Sequence, residues 1–358
     1  MVQDGGIDDH GGWPGLLGRL FRREDLTSEE AEAALHSILA GLAAPSHIAA
    51  FAAALRTKGE TTEEMVGLVR AMRSHGQHIE LGPGLLDTCG TGGDSSGSIN
   101  VSTMAAVVAA AAGASVCKHG GRASSSISGS ADVFEALGVA VDLGPAGVTN
   151  CIKQTGLGFC LAPVFNPAMR YAAPVRRELG TPTIFNFLGP LANPAGATRQ
   201  LIGVGDPSMA ERMVAVLEAN GTERAMVVYG TDGLDELSTV APSRVIESRR
   251  LPEGGYEQRR YEVDPSSFGL ARARPEQLRG GNPEENASLA RRVFAGEGGP
   301  RRDFVVLNSA AAIVVAGLEE ELEAGIEWAS RLLDDGSAAA KLDELVSVSQ
   351  REARAQQG

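Results

Sequence analysis

The sequence predicts an α/β protein: a small all-helical N-terminal domain followed by a large α/β domain with a mainly parallel central sheet. Three observations predict this. Between Leu16 and His75 apolar residues recur at helical spacing. From residue 85 onward, short apolar runs alternate with helical segments, as in successive βαβ units. Glycine-rich turns stand at two of the strand–helix junctions, where α/β sheets bind their ligands.

Composition bounds the possibilities. The 358 residues suffice for one large and one smaller domain. Aromatics make up only 4% against 43% hydrophobic residues in all, so Ala, Val and Leu must fill the core. The net charge of −13 argues against a nucleic-acid partner, which would want a basic stripe. It leaves room for a phosphorylated ligand, because a bound cation and a few local Lys or Arg can dominate a pocket. Cys89, Cys117, Cys151 and Cys160 lack CxxC spacing and lie near apolar runs, which suits buried, reduced thiols in a cytoplasmic protein. No apolar run reaches membrane-spanning length, and the acidic, glycine-rich start is unlike a signal peptide.

Residues 1–15 read as a disordered extension. Three helices follow from Leu35, Ile38, Leu39 and Leu42, from Ile48, Phe51, Ala52 and Leu55, and from Met65, Leu68, Val69 and Met72. Their starts are marked by Thr27 or Ser28 before Glu29, by Pro45 and Ser46, and by Thr61 and Thr62 before Glu63. The helical domain is thus expected over 16–78, joined by a segment from about 165–195, with a hinge at 74–83 and the large domain over 79–358.

The large domain opens with an apolar run at 85–86, the turn GTGGD at 90–94, and an alanine-rich helix over 104–112 that stops at Gly113. Asn100, Ser102 and Thr103 suit its N-cap. Glycines let backbone N–H groups approach a ligand, and a helix N-terminus favours an anion. A second unit repeats the arrangement: a run at 115–117, then Lys118, His119, Gly120, Gly121 and Arg122, then Ser124, Ser125, Ser126, Ser128 and Ser130 before a helix at 131–137. Two cations beside five hydroxyls make another phosphate-friendly loop. A solvated linker would explain one such stretch, but not two at the same station of successive units. Neither loop carries a GxxxxGK[ST] or GxGxxG signature.

Further strands are expected at 157–162, 183–187, 201–204, 225–229 and 304–307, and helices between them at 148–155, 209–219 and 310–316. Residues 253–275 read as an antiparallel hairpin, 287–295, 318–333 and 338–347 as helices, and 351–358 as a fraying end. Asp235 and Glu236 follow the strand at 225–229 in a loop. Such a pair is ordinarily surface charge, but beside a phosphate loop its hard oxygens suit Mg²⁺.

GTGGD, NxST (100–103), KHGxR (118–122), SGSAD (128–132), NPAMRYAAPVRRELGTPTIFNFLGPLANP (166–194) and DGLDE (232–236) occur in this order. Together they resemble the anthranilate phosphoribosyltransferase family, over roughly residues 17–346. The resemblance implies Mg²⁺-dependent transfer of the 5-phosphoribosyl group from phosphoribosyl pyrophosphate to the amine of anthranilate, in tryptophan biosynthesis, by a homodimer joined through its helical domain. It implies that Gly90, Gly93, Asp94, Ser98, Asn100, Val101, Ser102 and Thr103 hold the diphosphate and ribose. Lys118, Gly120, Gly121, Arg122, Ala123, Ser124, Ser125 and Ser126 would hold phosphate, with Ser130 nearby. His119 would meet the aromatic acceptor, Arg176 its carboxylate, and Ala162 and Pro163 its ring. Ser102, Asp235 and Glu236 would hold metal. Chemistry of this kind rests on leaving-group stabilisation and positioning; no catalytic acid or base is expected, because an aromatic amine is already neutral near pH 7.

The sequence departs from the family pattern at three places. Gly121 stands where the family has an asparagine on the acceptor side, Asn166 replaces the histidine of HPAM, and Ser95 replaces the last glycine of GTGGDG. The first two leave open another aromatic acceptor. Alternatives outside the reaction are a pyrimidine nucleoside phosphorylase, in which Asp235 and Glu236 would be idle, and a non-catalytic nucleic-acid-binding relative, which the charge disfavours.

Overall fold

The computed structural model describes residues 6–94, 96–123 and 127–357. The chain opens with a 3-10 turn, Ile7–His10, and α1, Gly12–Phe21. Residues 6–15 are therefore built into the fold rather than disordered, because Trp13 and Leu16 are buried against Phe51 and its neighbours; residues 1–5 lie outside the described residues. Three helices complete the bundle: α2, Ser28–Leu39; α3, Pro45–Lys58; and α4, Thr62–Ser74. Thr27 and Thr61 close capping boxes with Glu30 and Glu64, satisfying N–H groups that helix starts leave unpaired.

The remainder is organised on a seven-stranded sheet of order β3-β2-β1-β4-β5-β6-β7. Its strands are β1, Leu86–Gly90; β2, Val116–Gly120; β3, Leu157–Leu161; β4, Arg199–Gly203; β5, Arg224–Gly230; β6, Ser243–Arg250; and β7, Tyr256–Val263. β1 to β5 run parallel, and β6 and β7 add an antiparallel hairpin at one edge. The hairpin sits earlier than residues 253–275, because Gly254 and Gly255 (φ 94° and 80°) supply its left-handed turn.

The crossovers are helical: α5, Val101–Ala111; α6, Ser130–Ala136; α7, Pro145–Thr155; α8, Ala162–Phe165; α9, Ala173–Leu179; α10, Phe185–Leu191; and α11, Ala210–Ala219. Five more follow the hairpin: α12, Pro275–Leu278; α13, Pro283–Phe294; α14, Pro300–Val315; α15, Leu322–Asp334; and α16, Ser337–Gln357.

Three expectations are corrected here. Residues 183–187 form the start of α10 rather than a strand, and 304–307 lie inside α14, which absorbs 310–316 as well. The run 304–307 is buried throughout, and a continuously apolar run carries no period to separate helix from strand, while 183–187 is too short to show a period and its Thr, Ile and Phe residues favour a strand. The C-terminus does not fray at 351: α16 continues to Gln357, where Glu352 accepts from Asn150 (2.9 Å) and Gln356 from the Gly144 amide (3.0 Å).

Alternate residues of the strands feed two cores. Leu201, Met226 and Val228 face α5, α7 and α14; Ile202, Ala225 and Val227 face α10, α11 and the four-helix bundle. Val175 of α9 and Phe185, Leu188 and Leu191 of α10 belong to the second core, so the chain returns to the bundle between β3 and β4. No helix among the described residues is long and apolar enough to cross a membrane.

Candidate active site

The five parallel strands all end on one side, and the strand order reverses between β1 and β4. A crevice is expected at such a reversal, because the crossovers leave it in opposite directions. There, Gly90 and Gly203 lie opposite one another in register as the last residues of their strands. The loop after β5 crosses directly above them. A Cβ on Gly203 would stand 1.6 Å from the Asp235 carbonyl oxygen, and one on Gly90 would stand 2.3 Å from Asp235 Oδ2. Two glycines thus admit the acidic pair onto the ends of the sheet.

A cavity of about 1030 Å³ opens at this point. It gathers Gly90, Gly93, Asp94, Ser98, Asn100, Val101 and Ser102 from the first unit, and Lys118 to Arg122 and Ser130 from the second. Ala162, Pro163, Arg176, Asp235 and Glu236 complete the set proposed from sequence. Thr103 is 1% exposed and Ala123 also lies off the cavity wall; Ser124, Ser125 and Ser126 lie outside the described residues.

The acidic pair is held firmly. Asp235 Oδ2 accepts the Gly92 N–H at 2.7 Å, and Ser102 faces the cavity with Glu236. Burial, reinforced by the neighbouring Asp94, pushes Asp235 up to about 7. Burial and the adjacent Asp235 hold Glu236 well above the usual carboxylate range. Asp94 Oδ2 is also buried, with no hydrogen-bond donor among the described residues. Among the described residues no three His, Cys, Asp or Glu side chains converge as a metal cluster, but the two carboxylates of Asp235 and Glu236 and the nearby Ser102 hydroxyl are hard oxygens of the kind Mg²⁺ takes while keeping waters in its shell.

Lys118 is 1% exposed, and its Nζ donates to the Thr88 carbonyl and reaches Ser102 Oγ at 3.5 Å. It therefore sits under the acidic pair. Arg122 points elsewhere: Glu135 and Asp132 pair with it at 2.6 and 3.3 Å on the exposed rim. Asn100 is the N-cap of α5 by position but does not cap with its side chain. It donates instead to the Ser128 carbonyl (3.0 Å) and accepts from Asn286 (2.9 Å), tying the two loops together. At the start of α5 the Val101 and Thr103 N–H groups are taken by the Ile99 and Asn100 carbonyls (2.7 and 3.1 Å), so what the helix end offers an anion is its positive dipole end and the Ser102 hydroxyl.

The opposite wall suits an aromatic acid. His119 Nδ1 lies 3.0 Å from the Gly189 carbonyl, which can only accept, so Nδ1 carries the proton and Nε2 keeps its lone pair. Burial lowers its pKa, favouring the neutral ring. Asn166 Nδ2 approaches Nε2 at 3.5 Å. The Arg176 guanidinium lines the cavity with no hydrogen-bond acceptor among the described residues, and burial lowers its pKa. Nothing stands within 4 Å of where a Gly121 Cβ would be.

Sequence reasoning missed Phe185, Asn186, Gly189 and Pro190, which α10 brings to this wall. The motif PTIFNFLGPLANP was visible, but with 183–187 read as a strand none of its residues was assigned to the pocket. The four cysteines are free and buried; burial raises Cys89, as expected of an inert thiol beside carboxylates.

Comparison with known proteins agrees with this geometry. Residues 14–76 match the helical bundle domain of a glycosyl transferase family, and residues 82–339 match its a/b domain. The chain is 48% identical to the anthranilate phosphoribosyltransferase of Roseiflexus castenholzii over 92% of its own length and 96% of that protein. The corresponding protein of Rubrobacter xylanophilus is also 48% identical, over 92% and 95%. The fold superposes on the Thermus thermophilus enzyme with a TM-score of 0.86 at 42% identity, covering 93% and 99% of the two chains. It superposes on the Saccharomyces cerevisiae enzyme in complex with PRPP and Mg with a TM-score of 0.85 at 27% identity, covering 95% and 98%. On this sequence and structural likeness, the chain belongs to the anthranilate phosphoribosyltransferase family.

Proposed function

We propose that the cavity at the ends of β1 to β5 carries out the family's reaction, with the donor on one wall and the acceptor on the other. The enzyme is a glycosyltransferase of tryptophan biosynthesis that transfers the 5-phosphoribosyl group from phosphoribosyl pyrophosphate to the anthranilate amine, releasing pyrophosphate. The observation that carries the residue assignment is the acidic pair seated over Gly90 and Gly203, beside the N-terminal end of α5 and a buried lysine.

In this reading Gly90, Gly93, Asp94, Ser98 and the start of α5 (Asn100, Val101, Ser102) hold the diphosphate and ribose through N–H and hydroxyl groups. Lys118 offsets charge beneath the diphosphate, and Ser130 and the 120–126 loop receive the remaining phosphate. Ser102, Asp235 and Glu236 would hold Mg²⁺, which when bound neutralises leaving-group charge. Arg176 pairs with the acceptor carboxylate, a contact suited to a planar guanidinium. His119 presents an unprotonated Nε2 that accepts a hydrogen bond from the acceptor and orients its amine. Ala162 and Pro163 flank the ring. No residue must remove a proton before attack, since the aromatic amine reacts as the free base.

The helical unit of residues 16–78, joined by 165–195 to the α/β unit of 79–358, supplies the Arg176 wall, so movement between the units would open and close the cavity. Homodimerisation and a cytoplasmic location follow the family reading; light scattering of the purified protein tests the former. The reaction is tested by loss of anthranilate fluorescence with phosphoribosyl pyrophosphate and Mg²⁺. Tight donor binding with no turnover would leave the donor wall correct and the acceptor wrong. Asp235→Asn with Glu236→Gln is expected to cost at least about 10²–10³-fold in turnover with the fold retained.

A further inference from the structure

β1 and β2 are neighbours in the sheet, yet they pair only at Leu86↔Val116, whereas β1–β4, β2–β3 and β4–β5 each pair over five residues. Beyond that point no further backbone ladder pair joins the two strands, and side chains supply the hydrogen bonds instead. Asp87 Oδ1 accepts the His119 backbone N–H at 3.1 Å, a bond that a strand carbonyl would take in an ordinary ladder. Asp87 Oδ2 accepts from Asn193 Nδ2 at 2.8 Å, and the same Nδ2 donates to the Cys117 carbonyl at 2.8 Å. Asn193 Oδ1 in turn accepts the Ala195 N–H at 2.9 Å, fixing the amide's orientation.

Asp87 is 0% and Asn193 2% exposed, and neither lines the cavity. They nevertheless grip β2 on both sides of Lys118, at Cys117 and His119. The grip sets where β2 ends relative to β1. It also sets whether the His119 ring can reach the Gly189 carbonyl and turn Nε2 toward the acceptor wall.

We propose that Asp87 and Asn193 are positioning residues for the acceptor half of the site, acting through His119 without touching either substrate. The proposal rests on the functional reading above. Asp87 faces two donors, so Asp87→Asn must leave its own NH₂ against either the His119 N–H or Asn193 Nδ2. Exchanging both residues, Asp87→Asn with Asn193→Asp, removes that clash but sets a carboxylate oxygen against the Cys117 carbonyl, where Nδ2 had donated at 2.8 Å, so its recovery is partial.

The test has two readouts. In Asp87→Asn, kcat/KM for anthranilate is expected to fall about 10–100-fold, since misplacement by about 1 Å costs that order. Calorimetric affinity for phosphoribosyl pyrophosphate with Mg²⁺ should change by less than about threefold, and the double exchange should recover at least about half of the loss on a logarithmic scale. Independently of turnover, ¹⁵N-histidine NMR of the wild type should show His119 as the Nδ1–H tautomer, and Asp87→Asn should convert it to a mixture. Should Asp87→Asn fail to fold, Asn193→Ser keeps the Asp87 bond to His119 and is expected to show the same acceptor-selective loss at about tenfold. Parallel loss of donor and acceptor affinity, no acceptor loss in a folded variant, an unchanged tautomer, or no recovery in the double exchange overturns the proposal. Wild-type protein that makes no product would instead sink the functional reading, while the spectrum still decides the positioning role.

Discussion

Gly203→Ala is the most direct probe of how the acidic pair is mounted. The added methyl would stand 1.6 Å from the Asp235 carbonyl oxygen, whereas real Cβ contacts essentially never fall below 3.0 Å. The loop must therefore retreat by about 1.4 Å, since β4 is held by β1 and β5 over five residues each. A shift of that size carries Asp235 and Glu236 away from Ser102 and from the Gly92 N–H. Overpacking of this kind costs about 1–3 kcal/mol of stability, which a domain of ordinary stability survives. The larger effect falls on the reaction: about 10²-fold in kcat/KM, or about 2.7 kcal/mol of transition-state stabilisation. The assay is steady-state kinetics across a Mg²⁺ titration, with thermal melts alongside. Half-saturation by Mg²⁺ should move upward while the anthranilate KM stays put. Gly298→Ala, where a Cβ meets nothing within 4 Å, serves as the silent control. Wild-type kinetics and Mg²⁺ dependence in a folded Gly203→Ala variant would refute the mounting of the pair on the two glycines.

The other predictions concern the same cavity. Because Asp235 is pushed up to about 7 from an ordinary value of 3.8, the metal-free protein gains stability from its bound proton below pH 4 and loses it as the pH rises through 7. Mg²⁺ needs the ionised pair, so the rise in Tm on adding Mg²⁺ should be larger at pH 8 than at pH 6; an equal or reversed difference counts against metal at these carboxylates. Arg176→Ala should raise the anthranilate KM about 10–100-fold, the range for losing a charged hydrogen bond, with donor affinity unchanged by calorimetry. If donor affinity falls equally, Arg176 belongs to the other wall. Gly121→Asn has open space for its side chain and should lower the anthranilate KM about 2–10-fold through one new hydrogen bond; a raised KM would mean that the acceptor already occupies that space.

The division between the two levels can be followed residue by residue. Glycine-rich turns at strand ends, the capping boxes at Thr27 and Thr61, and the DGLDE loop after a strand were legible because each is a local pattern with a local cause. A turn needs its glycine, a helix start needs its acceptor, and a phosphate loop needs its amides. The alternation of strands and helices was legible for β1 to β5 for the same reason, since period and punctuation are properties of a few neighbouring residues. Residues 304–307 were misread because burial on every side erases the period that tells helix from strand, and 183–187 because five residues rich in Thr, Ile and Phe carry strand propensity but too little length for a period. The N-terminus looked disordered until Trp13 found Phe51, a partner 38 positions away in sequence.

What the sequence by itself determined was the fold class and the chemical character of the pocket, because both follow from residue types at short spacing. Tertiary structure alone decided the pocket's arrangement. It turned Arg122 outward to Glu135 while aiming Arg176 inward, set Asp235 over two glycines from different strands, and wedged Asp87 between β1 and β2. Each of those outcomes depends on groups far apart in the chain being brought within a few ångströms. Hydrogen bonds and charges act at that range, and only the packed sheet fixes which groups come within it.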